Sequence, residues 1–288
     1  MKKILLPIDF PSISMGVVHQ AAYLARHFKS EIVLLHVVTP LRYPAGFLEQ
    51  GHELTARDLH AAIIQHARKN LDLLLHPELD GIAVKRVVLR GEPAHEIIRA
   101  ARDENVDLIA MATQGLGPVF RLLLGSVTAK VLHDVDCAVW TSHHQEGLQA
   151  REFTIRKILC AVDLTQHSRA TLSKAAKLAD EFGAQLTLVH ITAGVKAYGP
   201  GGSYVLPEWK EALVSGASRD MAKLQQEVGT QADVIIECGD VHQMLSQAAE
   251  TAGCDLLVIG HTPPAGHLGA NGAGYSIVRE SRVPVLSL

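Results

Sequence analysis

The pair Gly125-Ser126 stands directly ahead of a stretch with helical apolar spacing, and it is preceded by Ala112-Thr113-Gln114-Gly115-Leu116-Gly117. Glycine lets a main chain approach an anion with no Cβ in the way, and a helix start aims unpaired N–H groups and the positive end of its dipole at the same place. That is the chemistry of a phosphate site. It is neither the P-loop, since no Gly-Lys-Ser/Thr occurs, nor the Gly-x-Gly-x-x-Gly turn of dinucleotide folds. Other polar residues that end apolar runs are Asp9, the His36-Val37-Val38 turn and Gly91-Glu92, and later Asp163 and His190. Each aspartate either serves a ligand or caps the helix after it through backbone N–H groups. Asp9 is flanked by Ile8 and Phe10, so it lacks the adjacent acidic pair that a Mg²⁺-dependent phosphoacceptor needs.

These residues are positioned by two copies of one module. Lys3-Ile4-Leu5-Leu6-Pro7-Ile8-Asp9 pairs with Lys157-Ile158-Leu159-Cys160-Ala161-Val162-Asp163 at an offset of 163 − 9 = 154, and Ile32 to Val37 pairs with Leu186 to Ile191 at the same offset. Gly91-Glu92 pairs with Gly239-Asp240 at 239 − 91 = 148, which puts a net deletion of about six residues (154 − 148) between the second and third strands of the later copy. Repeats of this length are whole domains rather than solenoid units. In each copy short apolar runs alternate with longer stretches of helical period, the pattern of a parallel sheet covered on both faces.

In the first copy the spacing predicts strands near 2–8, 31–38, 84–89, 107–113 and 138–141, with helices near 13–28, 53–75, 93–104 and 126–134. In the second copy it predicts strands near 157–162, 185–191, 233–238, 255–260 and 284–287. His143 to Thr154 reads as an exposed linker between domains at 1–145 and 152–288. Gly194 to Pro207, with Gly199-Pro200-Gly201-Gly202, reads as a surface loop or lid through which neither strand nor helix runs.

The bulk composition narrows the field further. The chain has 288 residues, 48% of them hydrophobic and 20% charged, with a formal net charge of -3, so charge gives a nucleic-acid partner no support. Met1-Lys2-Lys3 is followed by too short an apolar run for a signal peptide, and no uncharged apolar run is long enough to span a bilayer. The expectation is a cytoplasmic protein with no membrane partner. Cys137, Cys160, Cys238 and Cys254 form no Cys-x-x-Cys pair and read as buried reduced thiols. Sixteen histidines include His242, His261 and His267 near second-copy strand ends, but none falls in a metal-binding signature and no metal site is assigned. His36 and His190 read as hydrogen-bonded imidazoles at strand ends. No catalytic grouping of Ser, His and Asp appears, and no catalytic residue is assigned.

With these residues in place, the chain resembles the universal stress protein family in tandem form. The family's ATP-binding pattern is Gly-x2-Gly-x9-Gly-Ser/Thr, and the first copy has Ala112-x2-Gly115-x9-Gly125-Ser126. The resemblance implies two Rossmann-like α/β domains of the adenine nucleotide alpha hydrolase-like type, each a five-stranded parallel sheet in order 3-2-1-4-5. It implies ATP, with Mg²⁺ as its counter-ion, bound in the first domain as a regulatory ligand in stress response. Asp9 and Val37 would hold the adenine end, Gly115, Gly125 and Ser126 the ribose and phosphates, and Val127 would close the pocket.

Ala112 departs from the pattern's first Gly, which matters if the backbone there needs a positive φ. The second copy departs further: Gly260 keeps the first Gly, but Pro263 replaces the second and removes an N–H donor. Asn271-Gly272 then stands at Gly125-Ser126, spaced 271 − 260 = 11 residues on rather than 125 − 112 = 13. Asp163 and Ile191 still fit an adenine-type pocket. Two further readings stay open, a nucleotide-independent interaction scaffold with a protein partner and a slow ATPase. The family resemblance also implies pairing of the two domains about a pseudo-two-fold axis and a homodimer.

Overall fold

The structure is a computed structural model, and it describes residues 1–40, 56–113, 124–143, 153–193, 197–199, 202–204, 207–260 and 273–288. The chain divides into two compact units, one built chiefly from Met1–Arg121 and Gly125–Trp140, the other chiefly from Thr154–Leu288.

In the first unit the elements run β1 (Lys3–Pro7), α1 (Met15–Phe28), β2 (Glu31–Val38), α2 (Ala56–Leu73), β3 (Val84–Arg90), α3 (Pro93–Asp103), β4 (Leu108–Ala112), α4 (Ser126–Asp134) and β5 (Ala138–Ser142). The strand order is β3-β2-β1-β4-β5, with β1 parallel to both β2 and β4. Ile4, Leu5 and Leu6 in β1 and Ile32 to Leu35 in β2 are buried as continuous runs rather than alternately, as strands covered on both faces must be. The order reverses direction at β1, between β2 and β4, and the C-terminal ends of those strands form the crevice where such sheets hold ligands.

Local chemistry fixes the helix ends. Val17, Val18, Ala21, Ala22, Leu24 and Ala25 form the buried face of α1, which closes with Lys29 in a left-handed conformation whose N–H reaches the Ala25 carbonyl. Glu92 caps α3 by accepting from the Ala94 and His95 amides, and Pro93 occupies the first helical position, where its missing N–H costs nothing. Asp107 accepts from the Lys3 amide at 3.0 Å and so pins the start of β1 to the start of β4. Trp140 is fully buried and donates its indole N–H to the Gln20 side-chain oxygen at 2.8 Å.

The second unit repeats this plan: β6 (Lys157–Ala161), α5 (Ser168–Phe182), β7 (Gln185–Ala193), β8 (Ala197–Gly199), β9 (Gly202–Tyr204), α6 (Pro207–Val228), β10 (Asp233–Gly239), α7 (Val241–Ala252), β11 (Leu256–Ile259), α8 (Ala273–Glu280) and β12 (Val285–Ser287). Its order β10-β7-β6-β11-β12 is the same 3-2-1-4-5 arrangement. Asp240 caps α7 as Glu92 caps α3, and Asp255 accepts from the Lys157 amide as Asp107 does from Lys3.

Two expectations are corrected. Gly194 to Pro207 is not free of regular structure: β8 and β9 pair antiparallel, with Gly199 opposite Gly202. The supposed exposed linker is anchored at its far end, because the half-buried Phe153 meets Tyr23 and Trp140 edge-on at ring distances of 5.3 and 5.9 Å.

Candidate functional site

At the end of β1 the ladder to β2 is stopped by a histidine. The Ile8 amide donates to the Leu35 carbonyl at 2.7 Å, the last backbone bond between the two segments. The Ile8 carbonyl, which a continuing ladder would offer to the Val37 amide, instead accepts from His36 Nδ1 at 2.9 Å. Odd-numbered residues of β2 face β1, since the Glu31 amide bonds to Lys2 and the Leu35 carbonyl to Ile8, whereas the even-numbered Ile32 and Val38 bond on the β3 side. Val37 therefore presents a donor and an acceptor, two atoms of one residue, to the space that β1 has vacated. Phe10 lies against the His36 ring at 4.1 Å between centroids and holds it in place.

That space is a cavity of about 370 Å³ in the first unit. Asp9, Val37, Ala112, Gly125, Ser126 and Val127 all line it. Gly115, the remaining residue of the expected site, lies outside the described residues. Asp9 does not cap a helix with its carboxylate; one oxygen accepts from Ser12 Oγ at 3.0 Å and the other has no partner among the described residues. Ala112 belongs to β4 and is not among the residues with positive φ, so the glycine of the family pattern is not required here by backbone conformation.

The start of α4 is tied to the end of β4 by two bonds. The Gly125 amide donates to the Thr113 carbonyl at 2.8 Å, and Thr128 Oγ1 donates to the Ala112 carbonyl at 2.9 Å. The Gly125 N–H is therefore spent inside the protein. The donors left for an anion are the first-turn amides of Ser126 and Val127, which have no intrahelical acceptor, together with the Ser126 hydroxyl. A Cβ on Gly125 would meet nothing nearer than the Thr113 carbonyl oxygen at 3.5 Å, so packing within the protein does not demand glycine either.

Sequence reasoning missed Ser14. It is buried, lines the same cavity, stands at the N-cap of α1 without making a cap bond, and its Oγ has no partner among the described residues. The repeat register carried the signal, because 14 + 154 = 168 and Ser168 is also a buried serine at the start of a helix. In the second unit that serine is occupied: Ser168 Oγ donates to Asp163 at 2.5 Å. Asp163 also accepts from the Thr165 amide at 3.0 Å and hydroxyl at 2.8 Å, all three on Oδ1. Partial burial opposes its ionisation, but the bonds from Ser168 and Thr165 outweigh that and hold its carboxyl below the usual range.

The second unit has its own cavity of about 270 Å³ at the corresponding place, lined by Asp163, His190, Ile191 and Gly260 among others. Pro263, His261, His267 and Asn271-Gly272 lie outside the described residues. Among the described residues no group of three His, Cys, Asp or Glu side chains is placed to hold a metal ion, and no helix is long and apolar enough to cross a membrane. Cys160 and Cys254 are buried and free, and Cys137 and Cys238 are free and half-buried. Burial pushes the Cys160 thiol up to about 12 and those of Cys137 and Cys254 up to about 11, so these three are protonated and unreactive near neutrality.

The model of the universal stress protein family matches this chain twice, over residues 1–143 and again over 154–287. The chain belongs to the universal stress protein family. It carries two such domains in tandem. A universal stress protein of Methanocaldococcus jannaschii is 30% identical over 138 residues, 48% of this chain and 79% of that one. One of Mycolicibacterium smegmatis is 26% identical over 216 residues, 74% of this chain and 70% of its own. The crystal structure of a universal stress protein from Archaeoglobus fulgidus shares the fold across 99% of this chain and 95% of its own, with a TM-score of 0.70 at 22% identity.

Proposed function

We propose that the first domain of this tandem universal stress protein binds ATP in the cavity at the ends of β1, β2 and β4, and that the protein works in the cytoplasm as a nucleotide-responsive stress protein. The observation that carries the proposal is the pairing of two recognition elements across one cavity. At one side Val37 offers an unladdered N–H and C=O to an adenine edge; at the other, Ser126 and Val127 offer first-turn amides to phosphates. Asp9, with one carboxylate oxygen unengaged, stands beside Val37 at the adenine end, and Ser14 adds a buried hydroxyl. Gly115 and Ser126 complete the ribose and phosphate contacts, and Val127 covers the ligand. Mg²⁺ would arrive with the nucleotide as its counter-ion.

The arrangement supports binding rather than turnover. Asp9 is the single carboxylate among the described lining residues, and the segment from Gln114 to Leu123 contains no Asp, Glu, His or Lys. A positioned base and a carboxylate set for Mg²⁺, which phosphoryl transfer requires, are not supplied by these residues. A regulatory ligand in the first domain leaves the second domain for a different ligand or for a protein partner.

Calorimetric titration of the whole chain with Mg·ATP tests this. One ATP per chain is the expected stoichiometry, together with a rise in melting temperature as ATP exceeds its Kd, since at about a hundredfold excess a ligand adds about 2.7 kcal/mol to stability. Absence of heat and of any thermal shift at millimolar ATP would overturn the proposal in favour of a nucleotide-independent scaffold. Two equal sites would overturn the assignment to the first domain.

A further inference from the structure

Each unit has a strand that is paired on one flank alone. β3 pairs with β2 and β10 with β7, and both stand last in their strand orders. Even-numbered residues of β2 turn their backbone groups to β3, since the Ile32 amide bonds to Ala83 and the Val38 carbonyl to Gly91. The odd residues of β3 are thereby used, and Val84, Arg86 and Val88 turn their N–H and C=O groups outward. In β7 the odd residues face β6, because the Gln185 amide bonds to Arg156 and the Val189 carbonyl to Val162. Its even residues therefore serve the odd residues of β10, which leaves Val234, Ile236 and Cys238 turned outward. Rows of outward backbone groups are templates for another strand.

The two rows carry opposite charge. Residues 84–90 include Lys85, Arg86 and Arg90 and no acid, whereas residues 233–239 include Asp233 and Glu237 and no base. Like charges set β3 against a second β3 and β10 against a second β10, a common way of keeping an exposed strand from pairing with itself. The same charges attract when β3 meets β10. Shape agrees with charge. Val234 of β10 is 40% exposed, and the open side of β3 is a groove of about 310 Å³ lined by Leu71, Val87 and Val88 with Arg68, Asp72 and Arg86 around them.

Antiparallel pairing joins outward residues to outward residues, and side chains directly opposite share a face. Setting Arg86 against Ile236 sets Val88 against Val234 and Val84 against Cys238 as hydrogen-bonded pairs. Between them Lys85 falls opposite Glu237 and Val87 opposite Ile235, in the closer pairs that share no hydrogen bond. A shift of two residues either way puts Lys85 opposite Gly239 or Ile235 and loses the ion pair. Arg86 donates to the Leu71 and Leu74 carbonyls, so even residues of β3 lie on the α2 face, and Val234 would enter the groove beside Leu71 and Val88. Lys85, on the other face, bonds to Glu104 at 2.6 Å and keeps two N–H groups for Glu237.

We infer that the outer edge of β3 on one chain is a docking site for the outer edge of β10 on a second copy, joined antiparallel with Lys85 opposite Glu237. The contact is heterologous, since the two surfaces differ. Association therefore continues until it closes as a ring or runs on as a filament. The contact uses no lining residue of either cavity and does not rest on the ATP proposal.

Sedimentation velocity of the whole chain, run as a concentration series at low and at high salt, tests this. The weight-average mass should rise with concentration and fall back as salt is added, because the paired charges are exposed. Lys85→Glu and Glu237→Lys should each weaken association about tenfold, since an attractive cross-strand pair becomes a repulsive one. An equimolar mixture of the two single variants, or one chain carrying both exchanges, should recover it. Val234→Pro removes an N–H that points away from β7, so it should abolish association while the melting temperature stays near that of the parent. A mass that stays constant with concentration would leave these edges to a partner other than this chain and overturns the inference. So do single exchanges that leave association undiminished, and a double exchange that fails to recover it.

Discussion

Replacing Gly125 with aspartate separates the fold of the first domain from its proposed ligand. Gly125 has φ of -58 and ψ of 140, which any residue adopts, and an added Cβ meets the Thr113 carbonyl at 3.5 Å and Thr128 Oγ1 at 3.8 Å, ordinary contact distances. The position is the N-cap of α4 and currently makes no side-chain cap bond. An aspartate there gains a few tenths of a kcal/mol over glycine as a cap and about 0.3–1 kcal/mol from the helix dipole. Stability should therefore hold or rise by up to about 1 kcal/mol, which is about 2–4 °C in melting temperature for a unit of this size. The same carboxylate takes an amide that a phosphate would use and sets a negative charge against it. At ~5 Å and an effective dielectric of ~20 one such pair costs about 3 kcal/mol, or about a hundredfold in affinity. Differential scanning calorimetry without nucleotide and titration calorimetry with ATP measure the two effects independently. ATP affinity within threefold of the parent would refute the assignment of the Ser126 and Val127 amides to phosphate. A variant that loses ATP and also melts several degrees lower would show that binding was lost through the fold.

Three further outcomes follow from the geometry. Ala112→Gly restores the family pattern but should leave ATP affinity within about threefold while costing about 0.5–1 kcal/mol of stability from added backbone freedom, because Ala112 already has an allowed φ in β4; a tenfold tighter ATP complex would contradict this. Asp163 is held below its unfolded pKa of about 3.9, so its contribution to stability is complete above that pH and is lost as pH falls through the folded value; melting curves taken from neutral to strongly acidic pH should show a shallower acid decline for Asp163→Ala than for the parent. Cys160 and Cys254 should resist a thiol reagent at mildly alkaline pH in the native protein and react fully in denaturant, and rapid native labelling of either would show that burial does not protect them.

What could be read from the residues was whatever depends on local pattern. Continuous apolar runs such as Ile4 to Leu6 and Ile32 to Leu35 mark strands buried on both faces, and every one of the ten sheet strands expected from such runs is present within two residues of its expected ends. Glu92 and Asp240 are legible as paired signals because a cap is a contact between neighbours in the chain. The pairing of β8 with β9 is not legible in the sequence because two three-residue strands are too short to show a period. Six of the seven expected first-domain site residues fall on described residues and line one cavity, since the strand ends that carry them converge by topology.

Three decisions belonged to the tertiary structure, each depending on a partner far away in sequence. Whether Ala112 departs harmlessly turns on a φ set by its place in β4. Whether Gly125 donates to a ligand turns on the Thr113 carbonyl, which already takes its N–H at 2.8 Å. That Val37 and Ile191 offer free main-chain edges follows from His36 and His190 each occupying the carbonyl 28 residues earlier that would otherwise have continued the ladder. By itself the sequence determined the two modules, their register and the kinds of group at each strand end, because periodicity and residue type are properties of a chain. Which of those groups remain available was decided by folding, because a hydrogen-bond donor is free or spent only once its neighbours in space are in place.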